Sequence, residues 1–252
     1  MKVHFVGAGP GDPELLTVKA ERLLRSCLIC IYAGSLINPA ILGLLPAEAQ
    51  RHDSALLDLD QIAQLFRQAR DRGVDVVRLH SGDPSIYGAI REQMNRLDDM
   101  GIDYELVPGV SAFQASAAAL RTELTAPEVA QTIILTRTSG RTPVPPEQEL
   151  EVLARSRATL CIFLSAHKME EWVEKLAVHY GRECPVAVVY RASWPDERIV
   201  QGTLEEIAEK VRAAGIDRTA MVIVGRVLSR EIPPSRLYDP AFSHGYRKGK
   251  GE

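Results

Sequence analysis

The sequence predicts an α/β fold, and two observations carry that expectation. Short apolar runs of strand character alternate with amphipathic helical stripes from the first residues onward. Several of those strands also end in glycine-bearing turns. A third observation divides the chain. Near Ser111 the alternation gives way to the small-residue stretch FQASAAAL, and it resumes at Thr132 as a second set of strands. Two α/β domains are therefore expected, 1–112 and 131–240, with a helical linker region at 113–130 and a tail at 241–252.

Lys2 to Val6 reads as the opening strand, broken at Gly7. Gly7, Gly9 and Gly11 let the backbone turn where side chains would clash, and Asp12 and Pro13 suit the cap and first turn of a helix. Neither common nucleotide loop fits. Asp12 stands where the third glycine of G-x-G-x-x-G belongs, and Cys30-Ile31-Tyr32 where an acidic ribose partner belongs. No Gly-Lys-Ser/Thr ends the turn, which excludes a Walker loop. Leu16, Ala20, Leu23 and Leu24 then mark a helix, Leu28 to Ala33 a strand, and Gly34 to Pro39 a turn.

Ile62, Leu65, Phe66 and Ala69 mark the next helix and Asp75 to His80 the next strand, whose Gly82-Asp83-Pro84 end is expected to open a helix. Tyr104 to Val107 is a strand, and the helix from Ser111 should end at Thr125-Ala126-Pro127. In the second set, strands are expected at 132–136, 159–164, 186–190, 198–201 and 220–227. Helices are marked by Met169, Trp172, Val173 and Leu176, and by Leu204, Ile207, Ala208 and Val211 with Thr203 and Glu206 as a capping box. Arg137 to Glu149, with three prolines, is a loop before that half's first long helix.

Composition narrows the function. A net charge of −3 and a pI near 6.1 give no basic surplus for nucleic acid or a membrane surface. No apolar run reaches the roughly 20 residues of a bilayer span, and the N-terminus starts directly on a strand. A cytoplasmic protein is expected. Cys27-x-x-Cys30 lacks a second pair, and positions three apart in a strand face opposite sides, so buried free thiols are expected and no metal site.

The chemistry lies in the loops. No H-E-x-x-H, G-x-S-x-G or catalytic acid pair is present. Val6–Thr17, Leu79–Gly88 and Val107–Ala112 are three strand-end loops expected to converge on one edge. In this order and spacing they resemble those of the tetrapyrrole methylases, over nearly the whole chain. Tyr32 to Leu36, His80 to Gly88, Glu128 to Thr132, Thr136-Arg137 and Leu237 to Pro240 are similar to the precorrin-4 C11-methyltransferases within that family.

The resemblance implies two α/β domains with mixed sheets and a cleft between them for S-adenosylmethionine (SAM) and substrate. It implies methyl transfer to C11 of precorrin-4 or cobalt-precorrin-4, and a homodimer. Its implied cofactor contacts are Pro10, Ser81, Gly82, Asp83, Ile86, Ser111, Ala112, Leu164, Ala192, Thr219, Ala220 and Met221. Such a transfer is an in-line displacement that needs alignment more than a side-chain nucleophile, so no catalytic residue is assigned, His80 and His244 included. The substrate's many carboxylates call for cations. Of Arg121, Arg137, Arg141, Lys168 and Arg191, Arg137 and Arg191 are the candidates because each ends a strand. The alternatives are a methylase of another tetrapyrrole such as uroporphyrinogen III, one acting on rRNA or an elongation factor, and a non-catalytic anion- or nucleotide-binding protein.

Overall fold

The computed structural model describes residues 1–140, 142–229, 231–233, 235, 237 and 239–249, so Arg141, Tyr238 and the last three residues of the tail lie outside the described residues. The chain forms two compact units. One comprises Met1–Ser116 and Arg191–Glu197, the other Ala117–Tyr190 and Arg198–Glu252. The Arg191–Glu197 segment thus belongs with the first unit although it lies late in the sequence.

The first unit contains β1 (Lys2–Gly7), α1 (Val18–Arg25), β2 (Ile29–Tyr32), α2 (Pro39–Leu42), β3 (Gln50–Asp53), α3 (Leu59–Asp71), β4 (Val76–His80), α4 (Arg91–Asp99) and β5 (Asp103–Val107), and leads into α5 (Ala112–Ala119). Its sheet has the order β3-β2-β4-β1-β5 with every pairing parallel. The mixed character expected of both sheets therefore belongs to the second alone. Alternation along β1 sends Val6 to a core with Ala20, Leu24 and Ile41, and Phe5 to one with Phe66, Ala69 and Leu97. Full burial of Phe5 and Phe66 contributes about 2–3 kcal/mol each. Thr17 caps α1, and Asp58 with Gln61 forms a capping box on α3.

Several elements differ from expectation. Asp12 and Pro13 open only a 3-10 turn, Pro13–Leu15. The Gly82-Asp83-Pro84 end opens no helix. Tyr87 and Ala89 hold φ of 54° and 50°, which no right-handed helix continues through, and α4 starts only at Arg91. β3 carries no apolar alternation and pairs only with β2, as an edge strand can. Cys27 precedes β2 rather than lying in it, so strand alternation does not separate it from Cys30. The two thiols share one core, the Cys27 thiol donates to Ile29 O at 3.0 Å, and all four cysteines are free and buried.

The second unit contains β6 (Ile133–Arg137), α6 (Leu150–Ala154), β7 (Thr159–Phe163), α7 (Met169–Tyr180), β8 (Pro185–Tyr190), β9 (Arg198–Thr203), α8 (Ile207–Ala213) and β10 (Ala220–Val224). Its sheet order is β6-β7-β10-β8-β9, parallel for β6 and β7 and antiparallel elsewhere. Trp172, Leu176, Ile207 and Val211 pack on Ile162, Val188 and Val222. Helix α5 ends at Ala119, well before Thr125. The first helix after the proline loop has only five residues. Of the box at Thr203 only one half forms, Thr203 N–H donating to Glu206 Oε1 at 3.3 Å, and α8 starts at Ile207.

Candidate functional site

Parallel pairing puts the ends of three strands of the first unit side by side. Gly7 is in register with His80, and Val6 with Val107. The connection leaving β4 runs toward β5, while those leaving its neighbours β1 and β2 run toward β3. Connections of opposite direction leave a crevice at the carboxyl end of such a strand, where ligands of α/β sheets gather.

The three loops close on one another through glycine. Gly9 N–H donates to Gly82 O at 3.2 Å, and Gly82 N–H donates to Gly9 O at 2.8 Å. A Cβ on Gly7 would lie 2.6 Å from Gly82 O, and one on Gly109 only 2.2 Å from it. Only hydrogen fits at either position. Asp83 ties the second loop to itself and to the third. Its Oδ1 accepts from Ser85 N–H at 2.8 Å and from the Ser85 hydroxyl, and its Oδ2 accepts from Gly109 N–H at 2.9 Å. Ser111 is buried beside Gly82, and the amide of Ala112 lies next to it.

The Arg191–Glu197 segment meets the first loop. Trp194 Nε1–H donates to Pro10 O at 2.8 Å, and Asp12 N–H donates to Ser193 Oγ at 3.0 Å. Asn38 Nδ2 donates to Gly11 O at 2.8 Å. Pro10 and Ala192 are thereby held in one structure, both buried. The Arg191 guanidinium pairs with Asp196 at 2.8 Å and lies 4.7 Å from the Trp194 ring centroid, so an acidic partner already meets its charge.

Beneath the second loop lie two buried bases. Arg78 donates to Gln93 Oε1 at 2.9 Å and to Ile31 O at 3.3 Å, and burial pulls its pKa down to about 10. His80 stands against Phe5. Burial, and secondarily the Arg78 charge, pulls its pKa down to about 3, so it is neutral at pH 7, and its Nε2 has no hydrogen-bond partner.

In the second unit Arg137, Leu164, Thr219 and Ala220 share one sheet edge, because β6 and β7 end where the antiparallel β10 begins. Leu164 is 65 % exposed and holds φ 55°, and Thr219 holds φ 51°. Left-handed backbone at residues with a Cβ costs about 1–2 kcal/mol each and concentrates at ligand sites. Met221 is buried one residue inside that edge. Arg137 donates to Thr138 O at 3.2 Å, Thr142 O at 2.9 Å and Pro143 O at 3.1 Å. Among the described residues no carboxylate pairs with it.

Residues 2–208 match the model of the tetrapyrrole (corrin/porphyrin) methylases. The precorrin-4 C(11)-methyltransferase of Pseudomonas aeruginosa is 53% identical over 251 residues, 99% of this chain and 100% of that protein. The chain belongs to the tetrapyrrole methylases. The cobalt-precorrin-4 C(11)-methyltransferase of Methanocaldococcus jannaschii is 49% identical, over 98% of this chain and 96% of that one. Among solved structures, the cobalt precorrin-4 methyltransferase CbiF superposes with a TM-score of 0.88 at 40% identity, covering 90% of this chain and 96% of its own. The uroporphyrin-III C-methyl transferase of Thermus thermophilus, complexed with S-adenyl homocysteine, superposes with a TM-score of 0.76 at 32% identity, over 91% and 94%.

In this tetrapyrrole methylase the first unit brings together Pro10, Ser81, Gly82, Asp83, Ile86, Ser111, Ala112 and Ala192. The second unit independently aligns Arg137, Leu164, Thr219 and Ala220. Asn38, Ser193 and Trp194 escaped the sequence reading. Asn38-Pro39 is a helix-cap signal inside the stretch expected as a turn, and nothing in the local pattern ties Trp194 to a loop 184 residues away.

Proposed function

We propose that the chain transfers a methyl group from SAM to C11 of precorrin-4 or cobalt-precorrin-4, in corrin-ring synthesis. The observation that carries this reading is the 53% identity, spanning both chains almost end to end, with a precorrin-4 C(11)-methyltransferase. The loops fit the group. Gly7, Gly82 and Gly109 strip side chains from the strand ends, so peptide N–H and C=O groups can approach a bound nucleoside and amino acid closely.

SAM supplies an electrophilic methyl on a sulfonium. Pro10, Ser81, Gly82, Asp83, Ile86, Ser111, Ala112 and Ala192 of the first unit, and Leu164, Thr219, Ala220 and Met221 of the second, are the proposed contacts. Their task is alignment: a displacement gains most from reactants held in line and least from an extra acid or base. Leu164 offers an exposed apolar surface for that purpose. Arg137 is the stronger proposed partner for the substrate's carboxylates, since Asp196 already meets the charge of Arg191. No helix among the described residues is long and apolar enough to cross a membrane. The working form proposed is a cytoplasmic homodimer.

The test is to incubate the purified protein with methyl-labelled SAM and precorrin-4, with and without cobalt, and to locate the label by carbon NMR. Label at C11 is expected, and the preferred metal state names the natural substrate. Label at another carbon overturns the C11 assignment, and no transfer despite SAM binding favours a non-catalytic protein.

A further inference from the structure

The Arg191–Glu197 segment returns to the first unit and engages residues on both sides of Gly11. We propose that Trp194 is a positioning residue that sets the register between the Pro10 loop and the Ala192 segment, and through that register the affinity for SAM. The inference rests on the reading of the chain as a SAM-dependent methylase.

Three features of the indole carry the argument. Its Nε1–H holds the Pro10 carbonyl at 2.8 Å. Its pyrrole edge fills the place of a Gly11 side chain, 2.1 Å from where a Cβ would stand. The Arg191 guanidinium covers the ring at 4.7 Å and is fixed by Asp196, a cation–π contact that holds the ring from a separate direction. Ser193, at φ 69°, takes the Asp12 N–H and passes its own N–H to Glu197 Oε2 at 2.7 Å. Trp194 lies two residues from Ala192 and bonds directly to Pro10, so it joins two proposed SAM contacts far apart in sequence.

The arrangement also selects what the loop presents. Side chains take the Pro10 carbonyl, the Gly11 carbonyl and the Asp12 N–H. The Gly11 N–H has no partner among the described residues, although Gly11 is buried. Buried peptide donors are rarely left without an acceptor. In a trans peptide the N–H points opposite to the C=O, so by fixing the Pro10 carbonyl Trp194 aims the Gly11 N–H away from itself, as a donor for an acceptor atom of the ligand.

The test compares wild type, W194F, which keeps a ring and loses the N–H, and S193A. Binding of S-adenosylhomocysteine is measured by calorimetry, and KM for SAM and for the tetrapyrrole is measured separately. W194F is expected to raise the Kd for S-adenosylhomocysteine and the KM for SAM about tenfold while leaving the tetrapyrrole KM unchanged. S193A should shift both in the same direction by less. A purely structural role would lower the active fraction and spare KM. Wild-type affinity in W194F, or an equal rise in both KM values, overturns the proposal; if W194F does not fold, wild-type affinity in S193A overturns it. A wild-type protein that binds neither SAM nor S-adenosylhomocysteine overturns the methylase reading itself.

Discussion

Gly9 and Gly82 exchange a reciprocal pair of backbone hydrogen bonds, at 3.2 and 2.8 Å, between loops that leave neighbouring parallel strands. A pair of this kind makes the two loops one body. Gly7 and Gly109 close against the same Gly82 carbonyl, and Asp83 reaches Gly109, so the third loop joins them. The rigidity that alignment chemistry demands comes here from backbone packed on backbone.

Substituting Gly109→Ala places a Cβ 2.2 Å from Gly82 O and 2.8 Å from Gly7 Cα. The neighbours are main chain and cannot rotate aside. A loss of about 1–3 kcal/mol is expected, seen as a drop in Tm together with weaker binding of S-adenosylhomocysteine. Gly140, with nothing within 4 Å of its would-be Cβ, is the control, and Gly140→Ala should stay within about 0.5 kcal/mol of wild type.

Asp83 acts first as a brace. Asp83→Ala removes the acceptor for the Gly109 and Ser85 amides and should cost about 1–3 kcal/mol. Native-state hydrogen exchange checks the mechanism: the Gly109 amide should exchange faster in the variant. Unchanged protection there would contradict the brace.

The α/β layering and the edge where the loops meet were legible because they rest on local signals: apolar strands ending in glycine. What escaped is non-local or conformational. β3, with its polar QRHD, became a strand through its pairing with β2 rather than through its composition. The helix expected at Asp83 failed because its carboxylate caps a turn and Tyr87 and Ala89 take left-handed φ, a geometry that no propensity of tyrosine or alanine announces.

His80 makes stability depend on pH. Its folded pKa, about 3, lies below the unfolded value near 6.5. Between the two the unfolded chain binds the extra proton, so stability is lost as pH falls below about 6.5 and the loss ends near the folded pKa. From pH 7 to 5 the cost is about 2 kcal/mol. Denaturant midpoints for wild type and His80→Gln across that range should show the wild type falling more steeply by about this amount; parallel curves would contradict it.

The thiols should be silent in the native protein. Burial pushes Cys161 up to about 12 and Cys184 up to about 11, and the neighbouring Cys27 thiol together with burial raises Cys30. Cys27 is lowered by Cys30, and only its burial, at 5% exposure, keeps reagents from it. Thiolate, not thiol, is the nucleophile. An aromatic disulfide reagent should therefore titrate all four cysteines only after denaturation, and rapid labelling of the native protein would contradict the buried placement.

The candidate substrate cation is where sequence and structure inform each other most. In the sequence Arg137 and Arg191 are equivalent strand-end arginines, and their partners in the structure separate them. Arg191 is matched by Asp196, while Arg137 spends donors on the carbonyls of Thr138, Thr142 and Pro143, which orients the guanidinium without cancelling its charge. Arg137→Ala should therefore raise the tetrapyrrole KM by about tenfold or more and leave the Kd for S-adenosylhomocysteine close to wild type. Its tetrapyrrole KM should also depend less on salt, since a charge pair has been removed. Arg137→Lys keeps the charge but cannot make the planar fork to several carbonyls, so its KM should fall between the two. Equal losses of both ligands would mean that Arg137 serves the loop alone.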